Sequence, residues 1–154
     1  MIILGADHGG FELKEHIKQM LAKKGYSIVD VGAFEMDEND DFSHFVRLMC
    51  NAFDKATCDA SAERENECGE VRILAFCGSG VGVNIGLNKH KDVFCAVGHS
   101  KEEVEKARMH NGINALALGG RVTTKENAEE MVEAFLTTDT LGGKYARRMQ
   151  ELCL

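Results

Sequence analysis

The sequence predicts a doubly wound α/β domain of three layers, Rossmann-like, with a five-stranded parallel sheet between helices. Three observations lead there. Five short apolar runs alternate with segments of helical period. Most of those runs are apolar on both faces, as buried parallel strands are. The chain has 154 residues, 44% of them hydrophobic, no proline and no Ser/Gly-rich linker, which sets residues 1–154 as a single domain with one core.

In chain order, Ile2 to Ala6, Ser27 to Val31, Val71 to Phe76, Val93 to Val97 and Ala115 to Leu118 read as the strands. Leu13, Ile17, Met20 and Leu21 share one face of a first helix that Lys23, Lys24 and Gly25 close. Phe45, Val46, Met49 and Phe53 mark a second. A third begins after the glycine-rich turn Gly78 to Gly82, and a short polar one follows Ser100. Ala128, Met131, Val132 and Phe135 define another behind a Thr123-x-x-Glu126 capping box, and Tyr145, Met149 and Leu152 a terminal one. Thr57 to Glu70 lacks apolar period and reads as a surface insertion.

The formal charge of −7 excludes a general nucleic-acid binder, since phosphate neutralisation needs a basic face. Met1 runs straight into Ile2-Ile3-Leu4 without a signal-peptide pattern, so a soluble cytoplasmic protein is expected. Cys50, Cys58, Cys68, Cys77, Cys95 and Cys153 contain no C-x-x-C pair and no spacing for structural zinc, so no metal site is expected.

Ligands of doubly wound sheets sit at the carboxyl ends of strands, here Asp7-His8-Gly9-Gly10, Cys77 to Gly82, His99-Ser100 and Gly119-Gly120-Arg121. Gly78-Ser79-Gly80-Val81-Gly82 presents open backbone N–H groups at a helix start, suited to a phosphate or an enolate oxygen, although such glycines also serve a tight turn alone. Val83 breaks both a dinucleotide fingerprint and the arginine position of a cysteine phosphatase. Cys77 precedes that turn, where N–H groups favour a thiolate base or nucleophile; its bland alternative is a small buried hydrophobe. Asp7 and His8 belong to no apolar face, and the alternative is a turn-capping Asp beside an exposed His. His110-Asn111 at the end of a polar helix, and Lys144, Arg147 and Arg148 on the terminal helix, could each be solvated surface or part of an anion site.

Taken in order, these segments resemble ribose-5-phosphate isomerase type B, of the group that includes the galactose-6-phosphate isomerase subunits. The resemblance is nearly end to end. It rests on Gly5-Ala6-Asp7-His8-Gly9-Gly10-Phe11-x-Leu13-Lys14, Asp30-Val31-Gly32, Cys77 to Gly82 with Asn88-Lys89, His110-Asn111, Gly119-Gly120-Arg121 and Gly142-Gly143-Lys144.

The resemblance implies interconversion of ribose 5-phosphate and ribulose 5-phosphate through a cis-enediolate, without metal or organic cofactor. It assigns the C2–C1 proton transfer to Cys77, enediolate stabilisation to Ser79 and the N–H groups of Gly78 to Gly82, and ring opening to His110 with Asp7. Asn111 would contact sugar oxygens, and His8, Arg121, Lys144 and Arg148 the phosphate. A homodimer or dimer of dimers with a shared site is implied. Two positions depart from the family's pattern: Asp41-Phe42-Ser43 where Asp-Tyr-Pro is common, and Lys144 where arginine is commoner, which a point charge replaces without its bidentate grip. The competing readings are isomerisation of galactose 6-phosphate or allose 6-phosphate, and a non-catalytic phosphosugar- or nucleotide-binding module.

Overall fold

A computed structural model describes residues 1–63 and 70–152. Its elements run β1 (Ile2–Ala6), α1 (Phe11–Lys23), β2 (Ile28–Asp30), α2 (Phe42–Glu63), β3 (Arg72–Cys77), α3 (Val81–Leu87), β4 (Cys95–Val97), α4 (Lys101–Asn111), β5 (Ala115–Gly119), α5 (Lys125–Thr137) and α6 (Lys144–Gln150). The strands form one parallel sheet in the order β2-β1-β3-β5-β4. All five expected strands are present.

Strand alternation divides the core in two. Ile2, Leu4, Ala6, Leu74, Phe76, Leu116 and Leu118 point to the layer of α1, α4 and α5. Ile3, Ile73, Ala75, Ala115 and Ala117 point to Met49 and Phe53 of α2 and Val83 and Leu87 of α3. Burial on both faces explains why the runs carry no polar alternation.

Helix ends follow local chemistry. After Leu21, Gly25 N–H donates to Ala22 O and Tyr26 N–H to Leu21 O, the paired bonds of a glycine-closed C-terminus. Ser100 Oγ caps α4 by accepting the Glu103 N–H. The cap of α5 is Thr124, which accepts from Asn127 N–H, and not the expected Thr123 box; the helix starts one residue later.

The expected insertion is helical over its first half, because α2 continues to Glu63. Alanines at 56, 60 and 62 favour its continuation by intrinsic propensity, which periodicity alone does not register. The rest of that expectation, 64–69, lies outside the described residues, as do Cys153 and, within 64–69, Cys68.

Among the described residues two cations are buried, which no periodicity predicts. Lys14 Nζ reaches both Asp30 carboxylate oxygens at 3.1 Å and the Ala33 carbonyl at 2.6 Å, pinning the turn after β2 to α1. Arg108 forks onto Glu70 at 3.1 and 3.0 Å and donates to the carbonyls of Ile113 and Thr138. Among the described residues no helix is long and apolar enough to cross a membrane.

Candidate active site

The chain leaves β1 towards β2 on one side and reaches β3 on the other, so the β1/β3 carboxyl ends form the crevice where open α/β sheets bind ligands. Cys77 ends β3, and Asp7 directly follows β1.

Three loops interlock there through glycines. A Cβ on Gly9 would stand 2.8 Å from Gly78 N, and one on Gly119 2.7 Å from Ser79 C. A Cβ on Gly120 would enter the Gly9 carbonyl oxygen. Gly120 N–H donates to Cys77 O at 2.8 Å and Arg121 N–H to Gly78 O at 3.1 Å, tying the third loop to the second. These close approaches leave no room for a side chain.

Within this crevice Cys77 is buried, and its Sγ accepts the Gly80 N–H at 3.1 Å. Gly80 adopts φ +79°, a left-handed conformation that costs glycine nothing and turns its N–H back on the sulfur. Ser79 Oγ accepts from Val81 N–H at 3.3 Å. Burial pushes the thiols of Cys50 and Cys95 up, Cys95 far up, as expected of packing residues.

Asp7 is buried although it belongs to no apolar stripe. Its Oδ1 accepts the Gly10 N–H at 3.1 Å. Burial chiefly pushes its pKa up, against the Gly10 N–H and the His8 charge. His8 is half-buried, and both its backbone N–H and its Nδ1 lie 2.8 Å from Asp40 Oδ1. That hydrogen bond chiefly raises the His8 pKa. Arg121 is exposed, with its side chain laid along Gly78. Phe42 packs its ring against Gly82, about 3.1 Å from where a Cβ would sit.

One chain thus brings together Asp7, His8, Cys77 to Gly82 and Arg121. His110, Asn111, Lys144 and Arg148 lie elsewhere. Helix α4 runs back from the carboxyl end of β4, and Asn114, just beyond its end, pairs with Ile73 at the amino end of β3, while Gly119 pairs with Cys77 at the carboxyl end. Five strand residues separate these levels by about 16 Å. There His110 stacks on Tyr145 with ring centroids 4.6 Å apart and planes 9° apart, beside Asn111, in a cleft of about 340 Å³. Lys144 and Arg148 are exposed on α6, which buries none of its residues and packs on α4.

Sequence reasoning missed Asp40. It sits in the acidic stretch Asp37 to Asp41, which reads as a solvated loop, and only folding sets it beside His8.

The family described as Ribose/Galactose Isomerase matches residues 2–152. The chain belongs to the Ribose/Galactose Isomerase family. Within that family it is 36% identical over 137 residues to ribose-5-phosphate isomerase B of Mycolicibacterium paratuberculosis, covering 89% of this chain and 79% of that one. It is 32% identical to the probable ribose-5-phosphate isomerase B of Mycoplasma genitalium, covering 98% of this chain and 92% of that one.

Solved structures of Ribose/Galactose Isomerase relatives agree with the fold. Ribose-5-phosphate isomerase B of Clostridium thermocellum superposes with a TM-score of 0.86 at 32% identity, covering 99% of this chain and 94% of that one. The Mycoplasma genitalium enzyme with bound ribulose-5-phosphate gives 0.86 at 31% identity, covering 99% and 93%.

Proposed function

We propose that the chain is an aldose-ketose isomerase that interconverts ribose 5-phosphate and ribulose 5-phosphate through a cis-enediolate. The observation that carries this reading is the placement of Cys77, with an N–H aimed at its sulfur, beside Asp7, His8 and Arg121 at the β1/β3 crevice of a Ribose/Galactose Isomerase chain.

In this reading the Cys77 sulfur takes the proton from C2 and returns it to C1, while the hydroxyl proton moves between O1 and O2. The reaction is redox-neutral, so no cofactor is required to balance it. Ser79 and the N–H groups of the 78–82 loop stabilise the enediolate oxygen, donors fixed before charge develops. Asp7, its carboxyl pushed up by burial, exchanges a proton with the ring oxygen system together with His110. His8, Arg121, Lys144 and Arg148 hold the phosphate, and Asn111 the sugar oxygens.

Because His110, Asn111 and α6 lie at the far end of the sheet from Cys77, the reading requires a second copy of the chain to supply them, making a homodimer with shared sites. The exposed Val81 and Ile85 of α3, beside the Cys77 loop, suit burial against that copy. A cytoplasmic location fits an enzyme that depends on a free thiol.

The test is turnover of ribose 5-phosphate against allose 6-phosphate and galactose 6-phosphate by purified protein in chelator. Preferred turnover of the pentose supports the reading. Preference for a hexose phosphate moves it to the family's other branch, and sugar-phosphate binding without loss of C2 deuterium makes the protein a binding module.

A further inference from the structure

Asp40 is a carboxylate committed to one histidine. Its Oδ1 accepts both the His8 backbone N–H and the His8 ring nitrogen Nδ1, each at 2.8 Å. A carboxylate can only accept, so Nδ1 carries the proton in this contact. The other oxygen, Oδ2, is buried and has no hydrogen-bond partner among the described residues. A carboxylate placed this way is costly unless a counter-charge lies against it. The imidazolium of His8 is the cation in contact.

The consequence for the ring is geometric. With backbone and Nδ1 both held by one oxygen, the ring cannot flip, and Nε2 is the nitrogen left for a ligand. The side chain of His8 is 28% exposed, so a ligand in the crevice can reach it. The charged groups that act on it are Asp40 on the loop leading into α2 and Asp7 on its own loop, while Arg121 on the loop after β5 lies along Gly78, which in turn meets Gly9.

We infer that Asp40 is a positioning residue for the phosphate site, locking His8 so that its Nε2–H is presented to the phosphate of the substrate. This rests on the phosphosugar reading above. Asp40 touches no reacting atom. It acts through His8, and the Asp40 hydrogen bond also raises the His8 pKa, so the cation persists above the pH at which a free histidine loses its charge.

The experiment compares wild type with Asp40→Asn and Asp40→Glu by kinetics with ribose 5-phosphate from pH 6 to pH 9. Asp40→Asn raises KM about tenfold at pH 8, the loss expected for one charge-assisted bond, with kcat changed less than about threefold. The gap narrows towards pH 6, where His8 is protonated without help, and Asp40→Glu recovers part of the KM. KM curves that run parallel at all pH values, or a fall in kcat at unchanged KM, overturn the inference. The His8 ring proton resonance, identified by its loss in His8→Gln, supplies a second readout that needs no turnover. Its titration midpoint falls in Asp40→Asn, and added inorganic phosphate raises it in wild type more than in the variant. A midpoint indifferent to Asp40 or to phosphate overturns the inference, whereas a responsive midpoint in a protein that does not isomerise ribose 5-phosphate upholds it and rejects only the assigned reaction.

Discussion

The Gly80 N–H and the Cys77 Sγ stand 3.1 Å apart, donor to acceptor, at the carboxyl end of a central strand. The donor is a backbone N–H fixed by the loop, so it stays in place when another side-chain atom replaces the sulfur as acceptor. Cys77→Ser keeps the loop but substitutes a hydroxyl that is scarcely ionised near neutral pH. Isomerisation falls by at least about a hundredfold, within the range for loss of a general base, while binding of the sugar phosphate persists. Loss of C2 deuterium from labelled ribose 5-phosphate, followed beside calorimetric binding, checks both halves; near-normal exchange in the variant rejects Cys77 as the base.

A site shared between copies, as proposed, would have a complementation signature. Cys77→Ser and His110→Gln are each inactive alone, but mixed after subunit exchange they form dimers in which one of the two sites is intact. Random pairing restores about a quarter of the wild-type activity. No recovery after verified exchange means that Cys77 and His110 do not meet across an interface.

Arg148 is exposed on α6 and points to the anion only if a second copy brings α6 to the crevice. Arg148→Ala then raises KM about tenfold or more through a lost charge-assisted bond, and Lys144→Arg is tolerated or mildly beneficial. An unchanged KM in Arg148→Ala makes the basic cluster a solvated surface.

Gly120 has no room for a methyl group, because the Gly9 carbonyl occupies the place. Gly120→Ala pushes the 7–10 loop away from the 77–82 loop. A displacement of about 1 Å between Asp7 and Cys77 lowers kcat/KM by about a hundredfold, while circular dichroism shows the fold retained. Wild-type kinetics in this variant show that the loops need no fixed spacing.

Asp30 partners the fully buried Lys14. Burial alone would raise its pKa, but Lys18, the Gly32 N–H and Lys14 together hold it below the usual carboxylate range. A folded pKa below the unfolded one gives stability that is present above about pH 4 and lost as pH falls through the folded pKa. Asp30→Asn removes that acid-sensitive contribution and leaves Lys14 with Glu15, 2.8 Å away, as its carboxylate partner, at a cost of about 2 kcal/mol at neutral pH. Urea denaturation from pH 7 to pH 2.5 measures both; a variant as stable as wild type at pH 7 shows that the pair is dispensable.

Much of the fold was legible because its signals are local. The run Ile2 to Ala6 is apolar on both faces, as a central parallel strand must be, and the stripe Leu13, Ile17, Leu21 ends where Gly25 can close a helix. The Cys77 turn could be read for the same reason: a cysteine, a run of glycines and a helix start are adjacent in the chain. Helix α2 was underestimated because its last turns are carried by alanine propensity, which leaves no apolar period to read.

By itself the sequence determined the alternation of strands and helices, the glycine-rich turn after Cys77 and the family, all properties of neighbouring residues or of motifs in order. The tertiary structure alone decided which strands pair, and hence that Asp7 and Cys77 share a crevice while His110 lies at the opposite end of the sheet. It alone set Asp40 beside His8, 32 residues away, and buried Lys14 and Arg108 against carboxylates from other elements. The physical reason is that periodicity reports which face of an element is apolar, whereas a buried charge is tolerated only where a remote partner arrives to neutralise it, and that arrival is fixed by the packing of the whole chain.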